Sequence, residues 1–315
     1  MKKSKIFVAG HRGMVGGAIC RALERAGYED ILKRTRSELP LDDAASVYQF
    51  FEEERPDWVF LAAARVGGIV ANDTYPADFI QENLRIQLNV IDAAFRFGST
   101  RFCFLGSSCI YPKSAPQPIP EEALLTGPLE PTNSAYAIAK IAGKEMCDAY
   151  RKQFGWNAFT IMPCNVYGIG DNFHPVNSHV VAALIRKIHI AKLEAQPTVT
   201  VWGSGKPLRE FIYSEDLGEV ALFLMENYGA GGLINTGSAV EVTIENLAKK
   251  ICRVVKYEGQ LIFDSLKPDG APRKIMDSSK LFAMGWKPKT ELDEGLALAY
   301  RCYVDEQAEL ATLDV

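Results

Sequence analysis

The sequence has few of the residues that build metal or disulfide sites. Its 315 residues include four histidines and seven cysteines. No two cysteines form a CxxC pair, and the histidines show no HExxH-like spacing. An odd number of scattered cysteines fits neither a disulfide framework nor a zinc centre. We therefore expect no metal, and mostly unpaired cysteines packed as small apolar residues.

Long apolar runs and a large excess of one charge are also missing. No apolar stretch approaches the roughly 20 residues of a membrane-spanning helix. The N-terminal "MKKSKIFVAG" has too short an apolar run for a signal peptide, so we interpret it as a first strand. A net charge of −4 argues against a general polyanion-binding surface. We expect a cytoplasmic protein that binds neither nucleic acid nor a membrane.

What the sequence does contain is an alternation of apolar strand-length runs and helical periods. Predicted strands lie at 5–10, 30–34, 58–64, 101–108 and 159–163, with helices beginning near Met14 and Asp42 and spanning about 76–98 and 134–154. This order predicts an α/β fold with a Rossmann-type, doubly wound parallel sheet that binds ligands at the carboxyl ends of its strands.

The character of the chain changes after Pro163. A loop rich in Gly, Asn and Pro occupies 165–178, and a basic helix follows at 179–193. We predict a dinucleotide-binding domain at 1–164 and a smaller C-terminal α/β substrate-binding domain at 165–315. Segments between about 198 and 240 could return to the first domain.

A glycine turn follows the first predicted strand directly. Gly10, Gly13 and Gly16 in "VAGHRGMVGGAI" have GxxGxxG spacing where a helix begins. Such glycines allow a tight turn and let the helix N-terminus approach a pyrophosphate. The alternative is a glycine-rich turn with no ligand, but the strand–turn–helix context favours a dinucleotide.

The second predicted strand ends in basic residues rather than in an acid. "KRTRSE" supplies Lys33, Arg34 and Arg36, and Arg12 lies within the glycine turn. An NAD site usually places Asp or Glu about 20 residues after the glycines, whereas guanidinium groups match a 2′-phosphate. The sequence therefore predicts NADP(H), with a solvated basic turn as the alternative.

A tyrosine and a lysine share one helix face in "YAIAK". Tyr136 and Lys140 are four residues apart, and Ser107 stands at the end of the preceding strand. A lysine beside a phenol favours the phenolate. Tyr136 can then exchange a proton with a carbonyl or alcohol oxygen that Ser107 also binds. Tyr136 and Lys140 as ordinary helix-surface residues are the alternative.

Several loop stretches resemble a known family. They are "AGHRGMVGGAI", "AAARVGGIVANDTYPADFI", "FLGSSCIYP", "EPTNSAYAIAKIAG", "DNFHPVNSHV", "VWGSGKPLREF" and "KPDGAPRK". Over essentially the whole chain they are similar to extended short-chain dehydrogenases/reductases that act on nucleotide sugars, and in particular to the GDP-L-fucose synthases. The resemblance implies an NADPH-dependent 3,5-epimerase and 4-reductase that converts GDP-4-dehydro-6-deoxy-D-mannose to GDP-L-fucose.

The resemblance also assigns roles to a cysteine and a histidine. It implies that Cys109 is the base and His179 the acid of the two epimerisations. A thiol suits the first role where positive charge lowers its pKa. Cys109 as a buried strand-end residue, and His174 as the acid, remain the alternatives.

The resemblance also implies the ligand contacts. Lys187, Trp202, Arg209 and Asp269 would contact the GDP-sugar, although Arg186 is an alternative to Lys187. The expected cofactor contacts are Gly10, His11, Arg12, Gly13, Met14, Val15, Gly16, Arg36, Leu41, Leu105, Gly106, Ser107, Ser108, Lys140, Pro163, Cys164, Asn165, Val166 and His179. Cys164 and Ile169–Gly170 depart from the family pattern, and they affect fine substrate choice rather than the reaction class.

Three other functions stay open at this point. A sibling epimerase/reductase of the colitose type would carry the same Cys109 and His179. A 4-epimerase that retains NAD would consume no NADPH. A nucleotide-sensing regulator could dispense with Tyr136 and Lys140. The resemblance further implies a homodimer, with the predicted helices 76–98 and 134–154 at its interface.

Overall fold

The computed structural model describes residues 2–175, 178–267 and 269–313. The helices are α1 (Met14–Arg25), α2 (Ala44–Glu54), α3 (Ile69–Thr74), α4 (Pro76–Arg96), α5 (Ser134–Phe154), α6 (Val180–Leu193), α7 (Ser214–Asn227), α8 (Ile244–Val255), α9 (Ser279–Ala283) and α10 (Leu292–Leu313). The strands are β1 (Ile6–Ala9), β2 (Ile31–Leu32), β3 (Trp58–Leu61), β4 (Arg101–Leu105), β5 (Asn157–Pro163), β6 (Asn165–Tyr167), β7 (Thr198–Trp202), β8 (Leu208–Tyr213), β9 (Gly232–Thr236), β10 (Glu241–Thr243), β11 (Gln260–Asp264) and β12 (Arg273–Lys274).

The largest element is a six-stranded sheet with the order β2-β1-β3-β4-β5-β9. All of its neighbouring strands are parallel. The predicted Rossmann-type doubly wound sheet is therefore confirmed. The strand order reverses between β1 and β3, and ligands bind at such a switch point in this class of fold.

Strand β1 shows why both faces of the sheet are covered. Ile6 and Val8 belong to the apolar core on one side, and Phe7 and Ala9 to the core on the other. Side chains alternate between the faces of a strand, so a run buried throughout needs helices on both sides. Helices α1 and α7 pack together on the first face, and α2 and α4 contribute to the second core.

Local signals set the bounds of the helices. The Asp43 carboxylate accepts a hydrogen bond from the backbone N–H of Ser46, so that α2 begins at Ala44. Helix α5 ends at Phe154 because Gly155 takes a left-handed conformation, with φ of +70°. Both ends lie within two residues of the bounds that periodicity predicts.

A second, smaller unit lies beyond β5. Strands β10, β8 and β12 form one small sheet, with β6 also paired to β8, and β7 pairs with β11. Helices α6, α8 and α10 share a separate apolar core with these strands. Between them, α7 packs on α1 and β9 joins the six-stranded sheet, so the chain crosses between the two units. Among the described residues, no helix is long and apolar enough to cross a membrane.

Candidate active site

A cavity of about 1790 Å³ lies between the two units, at the carboxyl ends of the parallel strands. All of the expected catalytic residues, cofactor contacts and GDP-sugar contacts line it, whereas Lys33, a candidate for the 2′-phosphate, does not. Of the described residues, no three His, Cys, Asp or Glu side chains are grouped so that they could hold a metal ion. The cavity therefore joins the glycine turn, the tyrosine–lysine pair and the cationic residues of the second unit in one space.

The glycine turn sits where the strand order reverses. Gly10 has φ of +90°, and a Cβ there would lie 2.7 Å from the backbone nitrogen of Ala63, at the end of β3. A Cβ on Gly16 would lie 2.2 Å from the Gly10 carbonyl oxygen. Helix α1 starts with no side-chain cap and with no acidic residue in its first turn. Its free N–H groups and dipole can therefore take a pyrophosphate.

Two further features of this wall fit a dinucleotide. The Nδ1 atom of His11, directly after Gly10, is buried and has no hydrogen-bond partner among the described residues. Arg36 lines the cavity with its side chain 73% exposed, and one of its nitrogens lies 3.0 Å from a carboxylate oxygen of Glu82. Arg12 is also exposed at the cavity. The glycine turn and these side chains could hold a dinucleotide with a phosphorylated ribose.

The other two basic residues of the second predicted strand are engaged elsewhere. Lys33 pairs with Glu24 at 2.6 Å, and Arg34 pairs with Glu54 at 2.7 Å. Arg36 is also paired, with Glu82 at 3.0 Å and with Asp42 at 3.8 Å, but its side chain is 73% exposed at the cavity. This narrows the sequence-based set of ribose-phosphate ligands to Arg36 and Arg12.

Helix α5 brings Tyr136 and Lys140 to the end of β4. Lys140 is 3% exposed, and its ammonium donates a 2.7 Å hydrogen bond to the Leu105 carbonyl. The same nitrogen lies 5.8 Å from the centroid of the Tyr136 ring. Burial lowers the pKa of Lys140 to about 8. The Ser107 hydroxyl lies within hydrogen-bonding reach of the Tyr136 phenol.

The Tyr136 phenol is protonated in this environment. Its pKa is raised, chiefly by burial and further by Cys109, while the hydrogen bond from Ser107 opposes the rise. A protonated phenol at this position can donate a proton to an oxygen atom in the cavity. The sequence-based expectation that Lys140 favours the phenolate is therefore wrong for this structure, because burial of the phenol outweighs the nearby charge. Tyr136 is set up as an acid, with Ser107 and Lys140 beside it.

Cys109 lies in a 3₁₀ turn, Ser108–Ile110, that follows β4 directly. It is 8% exposed and lines the cavity. Its pKa is raised by burial, and Lys274, the Ser107 hydroxyl and Lys140 act in the opposite direction. The sequence-based expectation was that positive charge lowers this pKa. The cations are present, but the cost of burying a thiolate exceeds their effect.

His179 faces the same cavity from the second unit. It is the residue before α6, and desolvation by the surrounding protein lowers its pKa. Both histidines are exposed, but His174, the alternative acid, does not line the cavity. The loop predicted at 165–178 contains β6, and its residues 176 and 177 lie outside the described residues. Of the two histidines, His179 is the one that can reach a molecule in the cavity.

The expected GDP-sugar contacts line the side of the cavity that the second unit forms. Trp202 is 63% exposed, with the Lys267 ammonium 5.5 Å from its ring centroid. Arg209 on β8 is half-buried, and burial lowers its pKa. The Lys187 ammonium donates to the Thr200 carbonyl. An exposed ring and two cations form a surface that suits a base and a diphosphate.

Asp269 has partners that the sequence did not indicate. Its two carboxylate oxygens accept hydrogen bonds from the Ser204 backbone N–H at 2.6 Å and from the Ser204 hydroxyl at 2.8 Å. These bonds are the main reason for its lowered pKa. Asp269 thus shapes the turn after β7 as well as facing the cavity.

Sequence reasoning missed two charged residues here. Lys274 lines the cavity from β12, and Glu210, on β8, is fully buried. The guanidinium of Arg273, four residues after Asp269, donates to both carboxylate oxygens of Glu241, at 2.6 and 2.8 Å. Strand β12 has two residues, too few to show a period, so no sequence pattern marked Lys274.

Comparison with known proteins agrees with this geometry. Residues 6–237 match the NAD dependent epimerase/dehydratase family. The chain belongs to this family. Its match ends directly after β9, so it contains the whole six-stranded sheet with the glycine turn, Cys109 and the Tyr136–Lys140 pair. The segment that carries Asp269 and Lys274 lies outside the match.

Relatives within the NAD dependent epimerase/dehydratase family cover nearly the full chain. A putative GDP-L-fucose synthase 2 from Arabidopsis thaliana is 57% identical over 304 residues, which is 96% of this chain and 93% of the relative. The GDP-L-fucose synthase of Escherichia coli is 49% identical over 316 residues, 98% of each chain. The fold also matches a GDP-L-fucose synthetase from Naegleria fowleri bound to NADP, with a TM-score of 0.90 and 26% identity over 98% of this chain and 96% of that one.

Proposed function

We propose that this chain is a bifunctional NADPH-dependent 3,5-epimerase and 4-reductase that converts GDP-4-dehydro-6-deoxy-D-mannose to GDP-L-fucose. The observation that carries the proposal is the position of Cys109 beside Ser107, Tyr136 and Lys140, with His179 in the same cavity. A simple ketoreductase needs the serine, tyrosine and lysine alone. A thiol and an imidazole facing them supply the base and acid that inversion at carbon requires.

Epimerisation follows from the acidity of protons next to a ketone. C3 and C5 both flank the C4 carbonyl, so each C–H proton can leave as its electron pair moves to the C4 oxygen. The Cys109 thiolate takes that proton, and His179 returns one to the other face of the same carbon. Ser107 and Tyr136 donate hydrogen bonds to the C4 oxygen, where negative charge develops.

His179 and Tyr136 start from the protonation states that these roles need. The lowered pKa of His179 favours a neutral ring that carries one N–H. A negative charge nearby raises the pKa of an imidazole, so the anionic substrate and its enolate make this ring a better proton donor. The raised pKa of Tyr136 keeps the phenol proton available for the C4 oxygen.

Reduction uses the same oxygen a second time. NADPH supplies a hydride to C4 when it is bound. Tyr136 gives its proton to the C4 oxygen, and Lys140, beside the ring, stabilises the phenolate that is left. The glycine turn, His11, Arg12 and Arg36 hold the cofactor, together with the other cofactor contacts named in the sequence analysis. We further propose that Lys187, Trp202, Arg209 and Asp269 hold the GDP-sugar.

The test is conversion of GDP-4-dehydro-6-deoxy-D-mannose in D₂O with NADPH, followed by NMR of the isolated sugar nucleotide. We expect the L-fucose configuration with deuterium at both C3 and C5. A reduced D-sugar without deuterium would mean a simple ketoreductase and would overturn the epimerase assignment. Full turnover without net NADPH consumption would indicate a 4-epimerase that retains its cofactor. Preference for a 3-deoxygenated GDP-keto-sugar would indicate the colitose-type sibling.

A cysteine pair sharpens this test. Cys109→Ser should bind NADPH and stay folded, yet lose deuterium incorporation at C3 and C5. Cys252→Ser is the matched control, because Cys252 is half-buried on α8 and does not line the cavity. L-fucose product at the normal rate from Cys109→Ser would remove the base assignment.

We also propose that the enzyme is a homodimer built on α4 and α5. These helices pack against each other, and the Gln87 side chain donates to the Ala139 carbonyl between them. Leu88 and Ile138 remain 55% and 48% exposed on the same two helices. A second copy of this chain would cover them. Sedimentation of wild type and Leu88→Glu measures this, since the charge should shift the protein to monomer. We also propose a cytoplasmic location, on the ground given in the sequence analysis that no signal peptide or membrane-length apolar run is recognised.

A further inference from the structure

The buried thiol of Cys109 leaves a question for the proposed mechanism. Proton abstraction needs the thiolate, yet burial raises the pKa of Cys109. The groups that face this sulfur are Tyr136 and Lys140 from α5, the Ser107 hydroxyl from the preceding residues, and Lys274 from β12. Of these, Lys140 and Lys274 are the cations. The thiolate therefore depends on one or both of these lysines.

The ammonium of Lys140 already has other partners. It donates to the Leu105 carbonyl and lies beside the Tyr136 ring. Burial lowers the pKa of Lys140 and of Lys274 alike, so partners rather than pKa distinguish the two lysines. The effect of Lys140 on the thiol of Cys109 is smaller than that of Lys274 and of the Ser107 hydroxyl.

Lys274 has no such partner. Its ammonium makes no hydrogen bond or ion pair with any residue that the structure describes, although Lys274 lines the cavity. Glu130 is the nearby carboxylate that acts on it, and that carboxylate pairs with Lys113 at 3.1 Å. Arg209, its register partner on β8, repels it. An ammonium held in this way is available to an anion in the cavity.

The strand that carries Lys274 is held in place from both sides. The Ile275 N–H donates to the Gln117 side-chain oxygen at 2.9 Å, in the segment that follows the 3₁₀ turn of the thiol. The Met276 N–H donates to the buried carboxylate of Glu210 at 2.9 Å. These bonds fix β12 against the segment after the thiol, so Lys274 does not need to move to act there.

We propose that the Lys274 ammonium is the electrostatic partner that favours the thiolate of Cys109, which makes Lys274 a positioning residue for epimerisation. The inference rests on the proposed role of Cys109 as the base. The thiol first loses its proton to water. The thiolate then forms an S–H bond as the C3–H or C5–H bond breaks, and the electron pair of that bond moves to the C4 oxygen.

The experiment measures the thiol of Cys109 directly and without substrate. The full chain is treated with iodoacetamide between about pH 6 and 10, and alkylation of the Cys109 peptide is followed by mass spectrometry. Removal of a neighbouring positive charge shifts a pKa by about 1 unit or more. Lys274→Met should therefore move the alkylation midpoint upward and slow the reaction about 10-fold below the midpoint. Lys274→Arg, which keeps the charge, should restore most of the rate.

Lys280→Met is the matched control, because Lys280 is exposed, lies outside the cavity and donates to the Leu233 carbonyl. Its alkylation midpoint should equal that of the wild type. An unchanged midpoint in Lys274→Met would overturn the proposal. A higher KM for the GDP-sugar with an unchanged midpoint would overturn it in favour of Lys274 as a diphosphate ligand.

The same variants separate this proposal from the proposed function. Lys274→Met should incorporate deuterium at C3 and C5 more slowly near neutral pH and recover as the pH rises. Cys109→Ser should not incorporate deuterium at any pH. If Cys109→Ser still incorporates deuterium, the base assignment fails, whatever the alkylation midpoints show. NADPH binding by each variant checks that the fold is intact.

Discussion

The two walls of the cavity are built in different ways. The nucleotide wall consists of backbone turns and one helix face at the carboxyl ends of the parallel strands of the six-stranded sheet. The substrate wall consists mainly of side chains: Lys187 on α6, Trp202 on β7, Arg209 on β8, Asp269 before β12 and Lys274 on β12. Strands β8, β10 and β12 of this unit have six, three and two residues. The first wall takes its shape from the six-stranded sheet. The second takes its shape from individual polar side chains that bind distant backbone groups.

Glu210 shows how much the second wall depends on one side chain. It is 0% exposed, and its carboxylate accepts hydrogen bonds from the backbone N–H groups of Ala239 at 2.6 Å and Met276 at 2.9 Å. It thereby joins β8 to the turn before β10 and to the segment after β12. Burial raises its pKa, which these backbone bonds oppose. Loss of this carboxylate would break the hydrogen bonds that hold the turn before β10 and the segment after β12 against β8.

Glu210→Ala should have the largest effect. The substitution leaves at least two buried N–H groups unpaired and opens a cavity, and each unpaired group costs about 1–3 kcal/mol. We expect a loss of more than about 3 kcal/mol in the free energy of unfolding, measured by urea titration. NADPH binding should fall less than GDP-sugar binding, if the partly destabilised protein still folds at low temperature.

Glu241→Ala is the control on the same strand pair, because Glu241 and Glu210 are register partners. Glu241 binds the half-exposed Arg273, and such a pair contributes about 0–1 kcal/mol. Equal losses from the two substitutions would contradict the contrast between the walls, since the buried carboxylate would then hold nothing that the exposed one does not.

The same contrast explains what the sequence could predict. Gly10, Tyr136 and Lys140 belong to motifs that span only a few residues. Gly10 follows a predicted strand directly, and Tyr136 and Lys140 lie on a helix whose period is visible in the sequence. The sheet and the bounds of α1, α4 and α5 follow from the same local patterns. Such features need no knowledge of distant contacts, because the parallel sheet brings strand ends together by itself.

The substrate wall could not be predicted in this way. Glu210 meets Met276 across 66 residues, and Asp269 meets Ser204 across 65. Lys33 and Arg34 were read as ribose-phosphate candidates, whereas Glu24 and Glu54 hold them. Lys274 lies on a strand too short to show a pattern. Each of these outcomes depends on long-range pairing, which residue types and local spacing do not encode.

Lys140→Met tests the cost of burial in the nucleotide wall. The folded-state pKa of about 8 lies below the ordinary value of 10.5. A lowered lysine pKa means that stability is fully present above pH 10.5 and is lost as the pH falls through 8. This cost reaches about 3 kcal/mol at pH 7, and the lost hydrogen bond to Leu105 offsets about 1 kcal/mol. The inactive variant should therefore be about 2 kcal/mol more stable than the wild type at pH 7, by urea unfolding without ligands.

The pH dependence separates burial from other effects. The advantage of Lys140→Met should shrink by about 2 kcal/mol between pH 7 and pH 9.5. Lys144→Met, on the same helix, should instead be less stable than the wild type by an amount that hardly changes between pH 7 and pH 9.5. Hydrogen bonds to Asp148 and Glu145 outweigh burial and raise the pKa of Lys144, so this lysine stays charged throughout that range. A stability difference between Lys140→Met and the wild type that does not change with pH would show that burial does not lower the pKa of Lys140.

Arg36→Gln has the smallest expected effect, because it changes one exposed side chain at the edge of the nucleotide wall. Arg36 is 73% exposed and has a partner, Glu82, at 3.0 Å. A charged hydrogen bond to a 2′-phosphate contributes about 1.5–3 kcal/mol, and competition from Glu82 and solvent puts the loss at the lower end. We expect the Kd for NADPH, measured by fluorescence titration, to rise about 10-fold while the Kd for NADH stays within about 2-fold.

Lys33→Gln is the control, because it removes a charge at the same strand end that is paired with Glu24. It should change neither Kd by more than about 2-fold. Equal weakening of NADPH and NADH binding by Arg36→Gln would mean that Arg36 supports the shape of the nucleotide wall and does not recognise the 2′-phosphate. Cofactor choice would then not depend on this side chain.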